Sequence, residues 1–295
     1  MSPDLNALAV FALVAEERNF RAAADRLGVT RSAVSQTIRR LEQDLASELL
    51  QRTTRSVNLT EAGERLYAGI APAIADMRTA YEAAGNLDGE PTGQLRLAVS
   101  SIAEQFLAGP MLAAFSQAYP RIQVDIVVTD DEFDIVRAGY DAGVRLGEVI
   151  EQDMIAVPAS GDQRQIVVCS PAYVERHGAP THPRELSGHR CIGWRREPGI
   201  APYRWEFTEN GRDFSVNVAP EITTNDMALM IKLAVAGAGI STGLEESFIP
   251  WIESGELVVI LEAFSAPFPG FYLYYPSRKT PPKLRVLIDH VQRFR

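Results

Sequence analysis

Cysteine is scarce in this sequence: Cys169 and Cys191 are the only two in 295 residues. Two thiols build no disulfide framework, and the count fits a reducing compartment. Both sit in apolar, strand-like stretches, which raise a thiol pKa, so they read as small buried hydrophobes rather than a redox pair. Histidine is scarce too. His177, His182, His189 and His290 show no metal-ligand spacing, and the first three fall in a proline- and arginine-rich loop expected to face solvent. No apolar run approaches the roughly 18 residues of a membrane span. The opening MSPDLNALAVFALVAEERNF has no basic region before its apolar stretch, a poor signal peptide, so the cytoplasm is the expected location. No nucleophile stands with a supporting base, and no metal cluster is spaced for ligation. No catalytic residue, metal or cofactor is therefore assigned, and an enzyme is not expected. A solute-binding protein would need export, which this N-terminus does not supply.

Basic surplus is missing as well. The net charge is −9, which argues against a chain that coats nucleic acid over its whole surface. The distribution says more. Residues 1–58 carry eight arginines against seven acids, a net of +1. Residues 59–90 carry two against six, a net of −4, which leaves −6 for residues 91–295. Phosphate contacts are local, so a small basic patch on an acidic protein still holds DNA.

What is present centres on residues 20–45, FRAAADRLGVTRSAVSQTIRRLEQDL. Phe20, Ala23, Ala24 and Leu27 give a short helix one apolar face. Gly28 follows, where a left-handed cap is cheapest for glycine, and Val29 is placed to fill the space between helices. Thr30 or Ser32 caps the next helix. Val34, Ile38, Leu41 and Leu45 form its apolar stripe. The opposite face carries Arg31, Ser32, Ser35, Gln36, Arg39 and Arg40, which donate to phosphates and base edges. The spacing alone also suits an ordinary amphipathic hairpin with a solvated basic face, and Arg40 has Glu42 and Asp44 as alternative partners.

Residues 4–17 predict a helix that packs across this hairpin. Residues 47–58 lose the helical period and predict a two-stranded wing, with Arg52 and Arg55 placed for phosphate or the minor groove. Thr60 caps a long helix with Glu61 and Glu64 in its first turn. Leu66, Ile70, Ala73, Met77, Tyr81 and Ala84 form a narrow seam that wants a partner helix, in a second copy or in the chain's own domain. The cluster DGEPTG at 88–93 breaks it. From Gln94 strands and helices alternate: strands at 95–99, 122–128, 142–146, 165–169, 191–194, 214–218, 240–242, 257–261 and 271–275, with helices at 106–115, 226–235 and 283–294. This predicts an α/β domain with a mostly parallel sheet and a ligand beyond the strands' carboxyl ends.

These residues match a family. The segment FRAAADRLGVTRSAVSQTIRRLEQDLASELLQRTTRSVNLTEAG resembles the DNA-binding end of LysR-type transcriptional regulators. Ala33 stands where many members have proline. The segments DAGVRLG (141–147), CSPAY (169–173), GAGI (237–240) and LYYP (273–276) resemble that family's effector domain. The resemblance implies an N-terminal winged helix-turn-helix at 1–58, a dimerisation linker helix at 59–89, and a two-lobed α/β effector domain like a periplasmic binding protein at 90–295. Lobe I would take about 90–161 and 267–295, lobe II about 162–266, with crossings near 161–164 and 266–270. It also implies double-stranded DNA, a small-molecule effector, further copies of the chain in a dimer of dimers, and RNA polymerase as partners, with no membrane.

For the effector, Ser100 and Ser101 stand at a helix start, Thr129 ends the neighbouring strand, and Thr224 and Asn225 open a helix facing in from the other lobe. Trp194 would wall the pocket. Hydroxyls and helix starts favour a carboxylate ligand. Arg145 is expected in a structural ion pair more than on a ligand. The alternative function is a constitutive DNA-binding regulator whose effector domain only mediates oligomerisation.

Overall fold

A computed structural model describes residues 3–52, 57–85, 90–103, 109–131, 134–136, 138–276 and 280–294. Three helices open the chain: α1 (Leu5–Glu17), α2 (Phe20–Leu27) and α3 (Arg31–Asp44). Each begins on a side-chain cap. Asp4 accepts from the Asn6 and Ala7 N–H groups, and Asn19 from Arg21 and Ala22. Thr30, rather than Ser32, caps α3 by accepting from the Ala33 N–H. Gly28 takes the left-handed conformation (φ 66°) and closes α2 through bonds to the Ala24 and Asp25 carbonyls. Phe11, Ala23, Val34, Ile38 and Leu41 are buried together as the core of this domain. Three expected core positions differ. Leu27, Val29 and Leu45 are exposed, Val29 by 47%. The turn points Val29 outward, and the stripe of α3 leaves the core one turn early.

Strands β1 (Leu50–Arg52) and β2 (Val57–Leu59) pair antiparallel as the base of a wing. Its tip, including Arg55, lies outside the described residues. Helix α4 (Glu61–Gly85) follows, capped by Thr60, whose hydroxyl accepts from the Gly63 N–H at 3.0 Å. Gly63 is required by contact: a Cβ there would lie 2.1 Å from the Leu49 carbonyl oxygen. The seam of α4 divides. Leu66, Ile70 and Ile74 pack on the chain's own first domain, whereas Met77 and Tyr81 are 58% and 83% exposed.

The rest forms two lobes. In the first, β3 (Gly93–Val99), β4 (Ile122–Val128), β5 (Ala142–Leu146), β6 (Met154–Pro158) and β15 (Phe271–Pro276) order as β4-β3-β5-β15-β6. Helices α5 (Pro110–Ala118) and α9 (Pro282–Phe294) cover it. The expected helix start at 106 falls among residues outside the description. The second lobe is built on β7 (Gln163–Cys169), flanked by β12 (Ser241–Leu244) and β13 (Val258–Ile260), with β14 (Pro267–Phe268) also on β7. A parallel pair, β8 (Ile192–Trp194) with β11 (Ile222–Thr224), and a hairpin, β9 (Trp205–Glu209) with β10 (Arg212–Val216), complete its strands. Its helices are α6 (Pro171–His177), α7 (Met227–Val235) and α8 (Glu245–Glu253).

The mostly parallel sheet is corrected to a mixed one. β3 pairs parallel with β4 and β5, but β15 runs antiparallel to β5 and β6, and every partner of β7 is antiparallel. The reason is the path. The chain leaves lobe I after β6 and re-enters it from lobe II on the opposite heading, through residues 269–270. The two crossings are stitched: the Phe271 N–H donates to Ser160 Oγ at 2.8 Å, and the Ser160 N–H to the Phe271 carbonyl at 3.2 Å.

Candidate functional site

The outward face of α3 is built by period alone. With Val34, Ile38 and Leu41 buried, Arg31, Ser32, Gln36, Arg39 and Arg40 point to solvent. Ser35 is half-buried at the rim of this face. Among the described residues, Arg31, Arg39 and Arg40 form no ion pair. Of the two alternative partners of Arg40, neither Asp44 nor Glu42 pairs with it among the described residues, and Glu42 accepts the Leu49 and Leu50 N–H groups at 3.0 and 3.2 Å, tying α3 to the wing. Thr30 Oγ1 lies 2.9 Å from Ser32 Oγ, which orients the first turn. Arg52 is placed in β1 by its backbone. Short side chains at the N-terminal end of this face, Ser32 and Ala33, leave the first turn of α3 uncovered.

A second concave region lies between the lobes, a cleft of about 2090 Å³. Its floor on one side is the carboxyl ends of β3, β4 and β5, and on the other β8, β9 and the start of α7. Ser100, Ser101, Thr129, Trp194 and Asn225 all line it. Thr224 does not: it pairs with Trp194 across β11 and β8, and its hydroxyl accepts the Asp226 N–H at 3.1 Å. Asp226, not Asn225, caps α7 by accepting from Leu229, which frees Asn225 to donate to the Arg196 carbonyl at 3.2 Å.

The cleft collects unsatisfied polar atoms. Of five buried side-chain N or O atoms without a partner among the described residues, four line it: Ser100 Oγ, Arg196 Nε, Trp205 Nε1 and Ser265 Oγ. Buried polar groups are normally paired, so this concentration sets the cleft apart from the rest of the described interior. Arg196, Trp205 and Ser265 carry no signal for the cleft in the sequence, because the loop after β8, β9 and the stretch before β14 reach it only through the fold. Arg145 lines the cleft, and its Nη2 donates to the Asp131 carbonyl at 2.5 Å, a structural bond.

The cysteines are buried and unbridged. Burial pushes the Cys169 thiol up to about 11, and burial with nearby Glu221 pushes Cys191 up to about 12. The solvent-facing expectation for the histidines holds for His177 only among the loop three. His182 is half-buried, stacks on Phe214 and lies 3.3 Å from Glu209, and His189 Nδ1 is 3.2 Å from the Tyr173 hydroxyl. Among the described residues no cluster is spaced for a metal, and no helix is long and apolar enough to cross a membrane.

Residues 5–64 match the family model for the bacterial regulatory helix-turn-helix protein, lysR family, and residues 88–295 match the LysR substrate binding domain. The chain belongs to the LysR family of transcriptional regulators. A transcriptional regulator of Pseudomonas aeruginosa is 40% identical over 287 residues, covering 97% of this chain and 94% of that protein. The HTH-type transcriptional regulator YcaN of Escherichia coli is 36% identical over 293 residues, covering 99% and 96%. The full-length structure of AphB, the Vibrio cholerae virulence activator of the LTTR family, superposes with a TM-score of 0.65 at 25% identity, covering 98% and 99%. This LysR-family chain thus has a helix-turn-helix domain and an effector-binding domain, and its matches are regulators, not enzymes.

Proposed function

We infer that the protein reads specific DNA through α3 and is switched by a small molecule held between its effector lobes. The observation that carries the DNA half is the exposed guanidinium set on α3 around Gln36, which forms no ion pair among the described residues. Gln36 and Ser35 read base edges, with Gln36 suited to adenine. Arg31, Ser32, Arg39 and Arg40 hold phosphates, and the wing residues Arg52 and Arg55 reach the flanking backbone or minor groove. Exposed Met77 and Tyr81 on α4 support pairing with a second copy, which sets two recognition helices on two half-sites. The assembly is a dimer of dimers, and lobe closure changes how dimers sit on DNA and how they meet RNA polymerase.

The cleft's four orphaned polar atoms support the effector half. The hydroxyls favour a carboxylate effector, while the acidic lining weighs against it.

Selection of bound sequences from a random duplex pool tests the DNA reading. The wild type should enrich an imperfect palindrome. Gln36→Ala should lose about 1–3 kcal/mol of discrimination at one position per half-site while keeping non-specific affinity. An unchanged enriched sequence would sink the assignment of Gln36. A footprint that no small molecule alters would favour the constitutive regulator.

A further inference from the structure

The cleft is built against anions. Seven carboxylates line it, among them Asp130, Asp131, Glu148 and Glu206, against two guanidinium groups, Arg145 and Arg196. Both guanidinium groups already donate to carbonyl oxygens: Arg145 to that of Asp131, and Arg196 Nη1 to that of Asp130 at 3.4 Å. The chain turn that would attract an anion is filled from within. The Ser101 N–H donates to Asp130 Oδ1 at 2.9 Å, so a ligand carboxylate arriving there meets a carboxylate first. Aromatic rings wall the same space, including Trp194, Tyr203, Phe207, Phe214 and Tyr272. Ring faces attract cations, and nearby acids add to the attraction. Burial and the neighbouring Glu206 hold the Tyr203 phenol protonated well past its ordinary range, so it adds no anion of its own. Trp205 is 1% exposed, and among the described residues neither its indole N–H nor Arg196 Nε has a partner, which gives the ligand a place for one neutral acceptor.

We propose that the cleft takes an organic cation, an amine on an apolar or aromatic body with a hydroxyl or carbonyl oxygen, and turns free carboxylates away. This rests on reading the cleft as the effector site.

Calorimetric titration of the full-length protein with matched probes tests it: 2-phenylethylamine against 3-phenylpropionate, and 1,5-diaminopentane against glutarate, at equal ionic strength. Each amine should bind about tenfold tighter than its acid. Glu148→Gln with Glu206→Gln should weaken the amine about threefold, the scale of an exposed ion pair. An acid that binds better than its amine, with the heat altered by Trp194→Phe, overturns the cation class and leaves the cleft as effector site. Binding that is indifferent to Trp194→Phe and to the glutamate changes overturns the cleft reading itself. Should no probe bind, quenching decides. The emission lost in Trp194→Phe should be quenched more by caesium than by iodide, each scaled to free N-acetyltryptophanamide. The reverse order overturns the proposal.

Discussion

The face of α3 and the cleft between the lobes are both polar concentrations, yet they are made in opposite ways. The α3 face spans fourteen consecutive residues, Arg31–Asp44, and its arginines form no ion pair among the described residues. The cleft draws on segments from Ser100 to Tyr272, and its two arginines are tied to backbone carbonyls of its own rim. Uncommitted charge at helical period suits a partner that is itself a regular polyanion. Charge committed to the wall instead shapes a cavity, and leaves the acids to set its field.

Predictions follow from that contrast, the largest effect first. Gly63→Ala places a methyl against the Leu49 carbonyl, and should cost the DNA-binding half about 1–3 kcal/mol or more by overpacking. Differential scanning calorimetry should show its melt shifting down with that of the effector lobes unmoved; a shared shift would mean the two halves unfold as one. Removing both Arg31 and Arg39 to alanine should weaken binding to any duplex by roughly tenfold and flatten the salt dependence by about two phosphate contacts. Filter binding across salt concentrations reads this, and a loss confined to one sequence would reassign these arginines to base reading. Asp226→Ala removes the cap of α7 at the cleft edge and should cost lobe II about 1 kcal/mol, measured by urea unfolding.

The smallest effect is electrostatic. The Arg164 guanidinium holds the Glu245 carboxyl below the usual carboxylate range, with Nε to Oε2 at 2.9 Å. Its contribution is therefore present above that range and is lost as pH falls through the lowered pKa. Glu245→Gln should flatten the fall in melting temperature below about pH 4, and an unchanged acid slope would show that the pair carries no stability.

Legibility followed sequence distance. The cap at Thr60, the stripe Val34–Ile38–Leu41 and the exposed arginines are legible in the sequence, because each depends on neighbours within a turn or two, whereas the choice of Thr30 over Ser32 is made by the structure. Strand β9, helix α6 and helix α8 lie outside the elements expected from the sequence, whereas β10 overlaps the strand expected at 214–218. α8 carries Pro250 inside it, which reads locally as a break, and is held by Phe248 buried in the lobe core. The outward turn of Val29 likewise depends on how α2 meets α3, not on composition.

By itself the sequence determined helix α3, its polar face and the order of the domains, since periodicity and capping are local and act before the chain collapses. Only the tertiary structure decided the cleft. It brought the end of β3 against Asp130, turned Arg145 and Arg196 onto the rim, and gathered Ser100, Arg196, Trp205 and Ser265 around one space. Those groups are up to 165 residues apart, and no local rule links them. Sheet pairing and the double crossing between lobes do.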